Sequence, residues 1–333
     1  MLKSQKDSHL SDLLWFKLYL RPFLSKRNTV AKENANLPSY FSPSVLSILL
    51  LAVLSLIWGS SFILIKKSLL AFSPLQVFGC RIGIAGIAFF PFFMKEIKKL
   101  QRKDLPAFIV VGLFGSGFPA FLYALGQQHV SSSIAGLLNS LTPLFTLLIG
   151  LIFFQVKVPS IKIVAVFIGL LGAILLVTYG QPAGHSNNYF YAGMLVIATI
   201  CYAISLNTVG KYLGDYSAIT ISSIAFGIVT IPAILVLFNT NFVHVMETDS
   251  NAYTSLAAVA VLSLLGTFIA NILFYKLVQI TNPLFSSMVS YLIPMVAIAW
   301  GVVDGELITI FHFIGFVLIL CGVYLSKTKK KNR

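Results

Sequence analysis

Apolar runs of about twenty residues, parted by short polar breaks, recur along the chain from residue 46 to residue 326. A helix of that length crosses a bilayer core of roughly 30 Å. Backbone groups in lipid must be satisfied within the segment, which selects helices. The short alternating segments of a membrane barrel are absent. The pattern predicts an all-α integral membrane protein with ten transmembrane helices, at 46–65, 74–94, 106–126, 132–154, 161–179, 189–209, 217–238, 254–275, 282–303 and 308–326. The connections are short, so neighbouring helices are expected to pack antiparallel. The longest, Asn239 to Tyr253, holds His244, Glu247 and Asp249 and no base.

One stretch occurs twice. Moved forward by 151 positions, Leu113–Gln155 lands on Leu264–Glu306 without a gap. Leu113 meets Leu264, Gly115 meets Gly266, Leu122 meets Leu273 and Gln128 meets Gln279. Leu141 meets Leu292, Pro143 meets Pro294 and Gly150 meets Gly301. Ser116 with Thr267, Tyr123 with Phe274 and Gln155 with Glu306 are near matches. These hairpins are the third and fourth spans and the eighth and ninth, so the repeat is five helices long. Five is odd, and the second copy is therefore expected upside down. Inverted repeats are a transporter architecture, with the solute near the midplane between the halves. The first spans of each half agree: Trp58-Gly59-Ser60-Ser61-Phe62 precedes Lys67 as Tyr202-Ala203-Ile204-Ser205-Leu206 precedes Lys211.

Composition agrees with a membrane protein. The chain is 57% hydrophobic and 10% charged, with a mean hydropathy of +0.90; a soluble domain carries about a quarter charged residues. The net charge of +14 follows from where the bases lie. With the N-terminus in the cytoplasm, inner segments hold the bases before residue 45, those from Lys95 to Lys103, Lys157, Lys162, Lys211, Lys276 and those from Lys327 onward. Outer segments hold only Lys66 and Lys67. This is the positive-inside asymmetry, with both termini cytoplasmic. The bases face anionic headgroups, and nucleic acid is not a partner. No signal-peptide core follows the early lysines. Leu10, Leu13, Trp15, Phe16 and Leu18 make at most a weak amphipathic set, and residues 1–45 read as a basic tail. Cys80, Cys201 and Cys321 all lie in apolar runs without metal spacing.

Trp58-Gly59-Ser60-Ser61-Phe62, Pro74 with Arg81, the spans centred on Pro143 and Pro294, and a Gly-rich last span in each half occur in this order. In these the chain resembles the drug/metabolite transporter superfamily in its ten-helix, two-copy form, the EamA-type transporters. The resemblance covers about residues 46–326. It implies a basic cytoplasmic segment at 1–45, a first five-helix repeat at 46–180, a second at 181–326 and a basic tail at 327–333. Members commonly carry a glutamate after the fourth and ninth spans; here Glu306 stands in the second copy and Gln155 in the first. A bacterial cytoplasmic (inner) membrane is the expected location.

Arg81 lies about seven residues into the second span, roughly 10 Å deep at 1.5 Å per residue. Charge inside a membrane is costly and marks a cavity, a partner or water. One reading is attraction of an anionic or carboxylate-bearing solute; the other is a structural or gating role, which the resemblance favours because the family carries an arginine here across different substrates. Trp58, Ser61, Arg81, Tyr123, Asn139, Tyr202, Asn271 and Tyr291 are the candidate substrate-binding residues. Ser60, Ser140 and Asn207 also lie within spans and suit interhelical hydrogen bonds. Pro143 and Pro294 are expected to break the helical ladder mid-span as kinks or gates. Asp304 and Glu306 are expected to cap or flank the tenth span. No span carries a central carboxylate for a proton relay, and no GxxxxGK[ST] motif for ATP occurs.

The expected function is secondary transport of a small organic metabolite, such as an amino acid or related compound, by alternating access. No cofactor and no metal are expected; the partners are a small-molecule solute and the lipid bilayer, with room for a homodimer. The alternative is an integral-membrane group-transfer enzyme acting on lipid. That needs converging His, Asp, Glu or Cys, and His129, His185, His244 and His312 share no motif spacing.

Overall fold

A computed structural model describes residues 43–154, 160–180, 189–281 and 283–327. The N-terminal basic segment, Gln155 and the tail from residue 328 lie outside the described residues. Every described element is a helix or a turn. Seven helical spans are long and apolar enough to cross a membrane by length and composition, and three shorter apolar helices cover Phe167–Tyr179, Val289–Val303 and Ile310–Gly322.

The first helices are α1 (Pro43–Ser68) and α2 (Pro74–Glu96). Ser73 starts α2 with a capping box: its hydroxyl accepts from the N–H of Gln76, and the Gln76 side chain accepts from the N–H of Ser73. A short serine competes well for the orphan donors of a first turn, so these boundaries are set locally. Next come α3 (Leu105–Gly112) and α4 (Phe118–Gly126), joined without a break by a π turn at Leu113–Gly117. The interrupted α5 (Ser132–Asn139) and α6 (Thr142–Phe154) follow, then α7 (Ser160–Tyr179). In the second half, α8 (Tyr189–Tyr212) leads to α9 (Ala218–Phe238), capped by Ser217 as Ser73 caps α2. The short α10 (Phe242–Thr248) lies in the long connection. Then α11 (Ala252–Ser263) and α12 (Ala270–Ile280) are joined by a π turn at Leu264–Ile269. The chain ends with α13 (Pro283–Ser286), α14 (Val289–Val303) and α15 (Ile310–Lys327).

The two π turns begin at Leu113 and Leu264, the positions where the duplicated stretch begins. A π turn inserts one residue and turns a helix face toward a site. Each holds a glycine against a serine. A Cβ on Gly115 would stand 2.5 Å from Ser205 Oγ, and a Cβ on Gly266 would stand 2.7 Å from Ser61 Oγ. The contact is reciprocal: α1 meets the second π turn and α8 meets the first.

The proline spans differ from expectation in where they break. The chain leaves helix at Ser140–Leu141 and at Ser287–Met288. Pro143 is the second residue of α6, where a missing N–H costs nothing. Pro294 lies inside α14, well past the break. A proline orphans the carbonyl four residues back. Those carbonyls are on Asn139 and Ser290, and both are taken by hydroxyls: Thr142 Oγ1 donates to Asn139 O at 2.8 Å, and Ser140 Oγ donates to Ser290 O at 2.9 Å.

In packing, α2 lies against α9, α5 against α14, and α8 against α4 and α6. The pair α7 and α15 meets at Gly172 and Gly315, where a Cβ would stand 2.7 Å and 3.0 Å from the other's carbonyl oxygen. Buried hydroxyls of Ser55, Thr146 and Ser263 donate to the carbonyl four residues back, which removes their desolvation cost. Large apolar side chains such as Ile48, Leu56, Ile87, Phe167, Ile231 and Leu235 point outward and exposed. Apolar surface on both inner and outer faces is why the sequence shows long apolar runs without a polar stripe.

Candidate functional site

Seven of the eight candidate binding residues line one cavity: Trp58, Ser61, Arg81, Tyr123, Asn139, Tyr202 and Asn271. Tyr291 is not in its wall; its ring packs against the main apolar core. Ser60 and Asn207 are not in the wall either. Ser60 Oγ accepts from Trp300 Nε1 at 2.8 Å, and Asn207 Nδ2 donates to Thr146 O at 3.0 Å, both between helices. The cavity measures about 90 Å³, room for roughly six to nine waters at ~10–15 Å³ each.

Both π turns and both helix breaks reach this cavity. Gly115, Ser116, Gly266 and Thr267 come from the turns, and Ser287, Val289 and Ser290 from the second break. The sequence reading did not single out these residues. A signal for four of them was present, since Gly115 and Gly266, and Ser116 and Thr267, fall on one another when the stretch is moved by 151 positions.

Arg81 sits two turns beyond the Ser73 cap and is only 8% exposed. Its Nε donates to Thr267 Oγ1 at 2.9 Å. Thr267 in turn donates to Leu262 O and occupies the π turn. Arg81 is in none of the ion pairs between described residues, whose cations include Lys66, Lys67 and Lys99. Counting from the caps Ser73 and Ser217, the position matching Arg81 in α9 is Ala225. The positive charge is a single, unsymmetric feature.

Aromatic rings make much of the remaining wall. Trp58 Nε1 donates to Gly266 O at 2.9 Å, which holds the indole against the second π turn. Its ring meets Phe274 edge-on at 4.8 Å, and Phe62 meets Tyr123 edge-on at 5.6 Å. Tyr123 and Tyr202 stack at 6.0 Å. Tyr123 Oη donates to Asn139 Oδ1 at 2.9 Å, and Asn271 Nδ2 donates to Thr267 O at 2.7 Å. Such rings present apolar faces with polar tips, suited to a solute with both characters.

A second polar cluster joins the end of α1, the start of α5 and the loop after α14. Asp304 and Glu306 flank α15, as the sequence suggested, and their hydrogen bonds and ion pairs go to other elements. Asp304 pairs with Lys66 and Lys67, each at 2.6 Å, and Lys66 reaches Glu306 at 3.2 Å. Glu306 accepts from the N–H groups of Ser132 and Ser133 at 2.9 and 3.1 Å and from the Ser133 hydroxyl. An anion is favoured there because a helix start offers orphan N–H groups and a positive dipole end. Gly301 leaves the space, since a Cβ there would meet Ser133 Oγ and Glu306 Oε2, and Gly305 makes the turn at φ 80. Burial pushes the Glu306 carboxyl up, but the Ser133 hydroxyl, the two backbone donors and Lys66 outweigh it and hold the group below the ordinary glutamate range. Asp304 is likewise held low, burial being outweighed by Lys66 and Lys67.

The family model for the EamA-like transporter family matches this chain twice, at residues 45–178 and 190–328. An uncharacterized transporter from Archaeoglobus fulgidus is 28% identical over 284 residues, 85% of this chain and 99% of that protein. The uncharacterized inner membrane transporter YedA of Escherichia coli is 27% identical, over 84% of this chain and 92% of YedA. An S-adenosylmethionine/S-adenosylhomocysteine transporter from Chlamydia muridarum is 25% identical, over 83% of this chain and 90% of that protein. A solved crystal structure shares the fold with a TM-score of 0.56 at 17% identity, covering 84% of this chain and 96% of the other.

Proposed function

The chain belongs to the EamA-like transporter family, and we propose that it is a secondary carrier for a small organic metabolite, bound in the cavity at Trp58, Arg81 and Tyr202. The observation that carries this is the cavity itself, whose walls combine residues from 46–180 with residues from 181–326. A site between two halves is what rocking of one half on the other exposes to alternate sides. The proposed halves are five-helix repeats at 46–180 and 181–326, the second inverted, with the three shorter apolar helices completing ten crossings. Support comes from the double family match, the paired π turns and the exchanged contacts Ser61–Gly266 and Ser205–Gly115. The lysine asymmetry supports cytoplasmic termini, and in that orientation the Lys66–Asp304–Glu306 cluster would lie on the outer face.

In this reading Trp58, Phe274 and the stacked pair Tyr123–Tyr202 cover the solute body, while Ser61, Asn139 and Asn271 offer hydrogen bonds. The ion pairs on the outer face tie α1, α5 and the loop after α14 together, and must part for that side to open. The test is solute flux in proteoliposomes of the purified protein with no added cofactor, screened over a metabolite mixture. Flux of at least one solute above protein-free vesicles is expected. A folded, oriented preparation that moves no solute refutes the carrier reading.

A further inference from the structure

We infer that the solute is an organic monoanion whose carboxylate docks on Arg81, and that the cavity rejects cations. The inference rests on the carrier reading above and names its substrate class.

Charge balance carries it. Among the described residues that line the cavity, Arg81 alone bears a formal charge; no Asp, Glu, Lys or His shares the wall. Arg81 is only 8% exposed, and the hydrogen-bond partner of its guanidinium among the described residues is the neutral Thr267. A buried charge is tolerated when a partner neutralises it, and leaving one alone is costly. Among the described residues no such partner meets Arg81, although Lys66 and Lys67 are paired with acids. The missing counter-charge is one unit, which the solute brings.

Geometry selects the group. With Nε committed to Thr267, the guanidinium keeps the N–H groups of its two terminal nitrogens, a planar fork that fits a carboxylate. Thr267 holds the fork by the one nitrogen that a terminal approach does not use. Cations find no acid in the wall and meet a like charge. A zwitterion likewise finds no acid in the wall for its ammonium. Dianions leave one charge unbalanced in an apolar surrounding. Beyond the fork, the faces of Trp58, Phe62 and Phe274 and the side chains of Ile82, Leu206 and Ile293 suit an apolar body.

The test compares isosteric probes on the purified full chain: benzoate, benzamide and benzylammonium, read by thermal shift in detergent and by competition for flux in proteoliposomes. Benzoate is expected to bind more tightly than benzamide by roughly ten- to hundredfold, the range of a hydrogen-bonded charge. Benzylammonium should not compete. Arg81→Gln should remove the preference for benzoate while leaving benzamide within about threefold, and Arg81→Lys should retain part of it, because charge survives and fork geometry is lost. Equal binding of benzoate and benzamide, or preferred transport of the cation, overturns the inference while the carrier reading stands. So does an Arg81→Lys protein that folds normally and loses benzoate and benzamide alike. Failure of every solute in the wider flux screen overturns both.

Discussion

The hydroxyl of Ser140 donates to the carbonyl oxygen of Ser290 at 2.9 Å, and the reason lies four residues on, at Pro294. Pro294 has no N–H to give Ser290, so α14 carries an orphan acceptor, and the break after α5 delivers a donor to it. Ser140→Ala should therefore cost about 0.6–2 kcal/mol, between the average interhelical bond in a membrane and a stranded buried acceptor. In a Pro294→Ala background the helix regains its own donor, and the same change should cost less than about 0.5 kcal/mol. Unfolding of the four proteins in one detergent measures the cycle. Equal costs in both backgrounds would show that Ser140 acts independently of the proline.

Gly172 and Gly315 let α7 and α15 approach until backbone meets backbone. An added Cβ at Gly172 stands 2.7 Å from Gly315 O and 2.9 Å from Leu318 Cβ. Backbone cannot swing aside as a side chain can, so Gly172→Ala should destabilise by roughly 1–3 kcal/mol. Gly193 in α8 has no atom within 4 Å of the same addition, and Gly193→Ala should be neutral or stabilising by up to about 1 kcal/mol. Thermal midpoints of the two variants should move in opposite directions or differ clearly in size.

The Lys66–Asp304–Glu306 cluster gives stability an acid limit. Both carboxyls are held below their ordinary values in the folded protein. A depressed carboxyl stabilises fully above its unfolded pKa and loses that contribution as pH falls through the folded value. The thermal midpoint should hold at neutral pH and fall below about pH 4.5, the ordinary glutamate value. Glu306→Gln should start lower at pH 7 and show a shallower acid decline. A parallel decline in the variant would place the acid-sensitive groups elsewhere.

Trp58 tests the wall of the cavity. Trp58→Phe keeps a ring beside Phe274 and loses the bond to Gly266 O, so it should fold and change solute preference. In a protein whose Trp15 and Trp300 are replaced, a transported solute should quench or shift the remaining Trp58 emission. Unchanged emission at saturating solute, with normal transport by Trp58→Ala, would remove Trp58 from the pathway.

Single cysteines at Lys98 and Thr248 test the orientation, in a background without Cys80, Cys201 and Cys321. An impermeant thiol reagent added to intact cells should label position 248 and spare position 98. The reverse pattern would turn the lysine argument over.

Helix positions were legible in the chain because lipid makes apolar length and intrahelical bonding the whole requirement of a crossing. The likeness of the two stretches that carry the π turns was visible too, through residues that are not apolar background, such as Gly115 and Gly266. Seven of the eight candidate binding residues lie in one cavity wall, being polar and aromatic groups that stand out within a span against that background. Partnership was not legible. Nothing local tells that Arg81 meets Thr267, that Ser140 meets Ser290, or that Glu306 caps α5 rather than α15, since each pair is separated by 150 residues or more. Tyr291 lies outside that wall: a tyrosine within a span is equally apt for a cavity or for core, and only tertiary packing decides. The π turns were hidden because one inserted residue per helix leaves apolar composition unchanged, yet it is those turns that bring Gly115, Gly266 and Thr267 to the cavity.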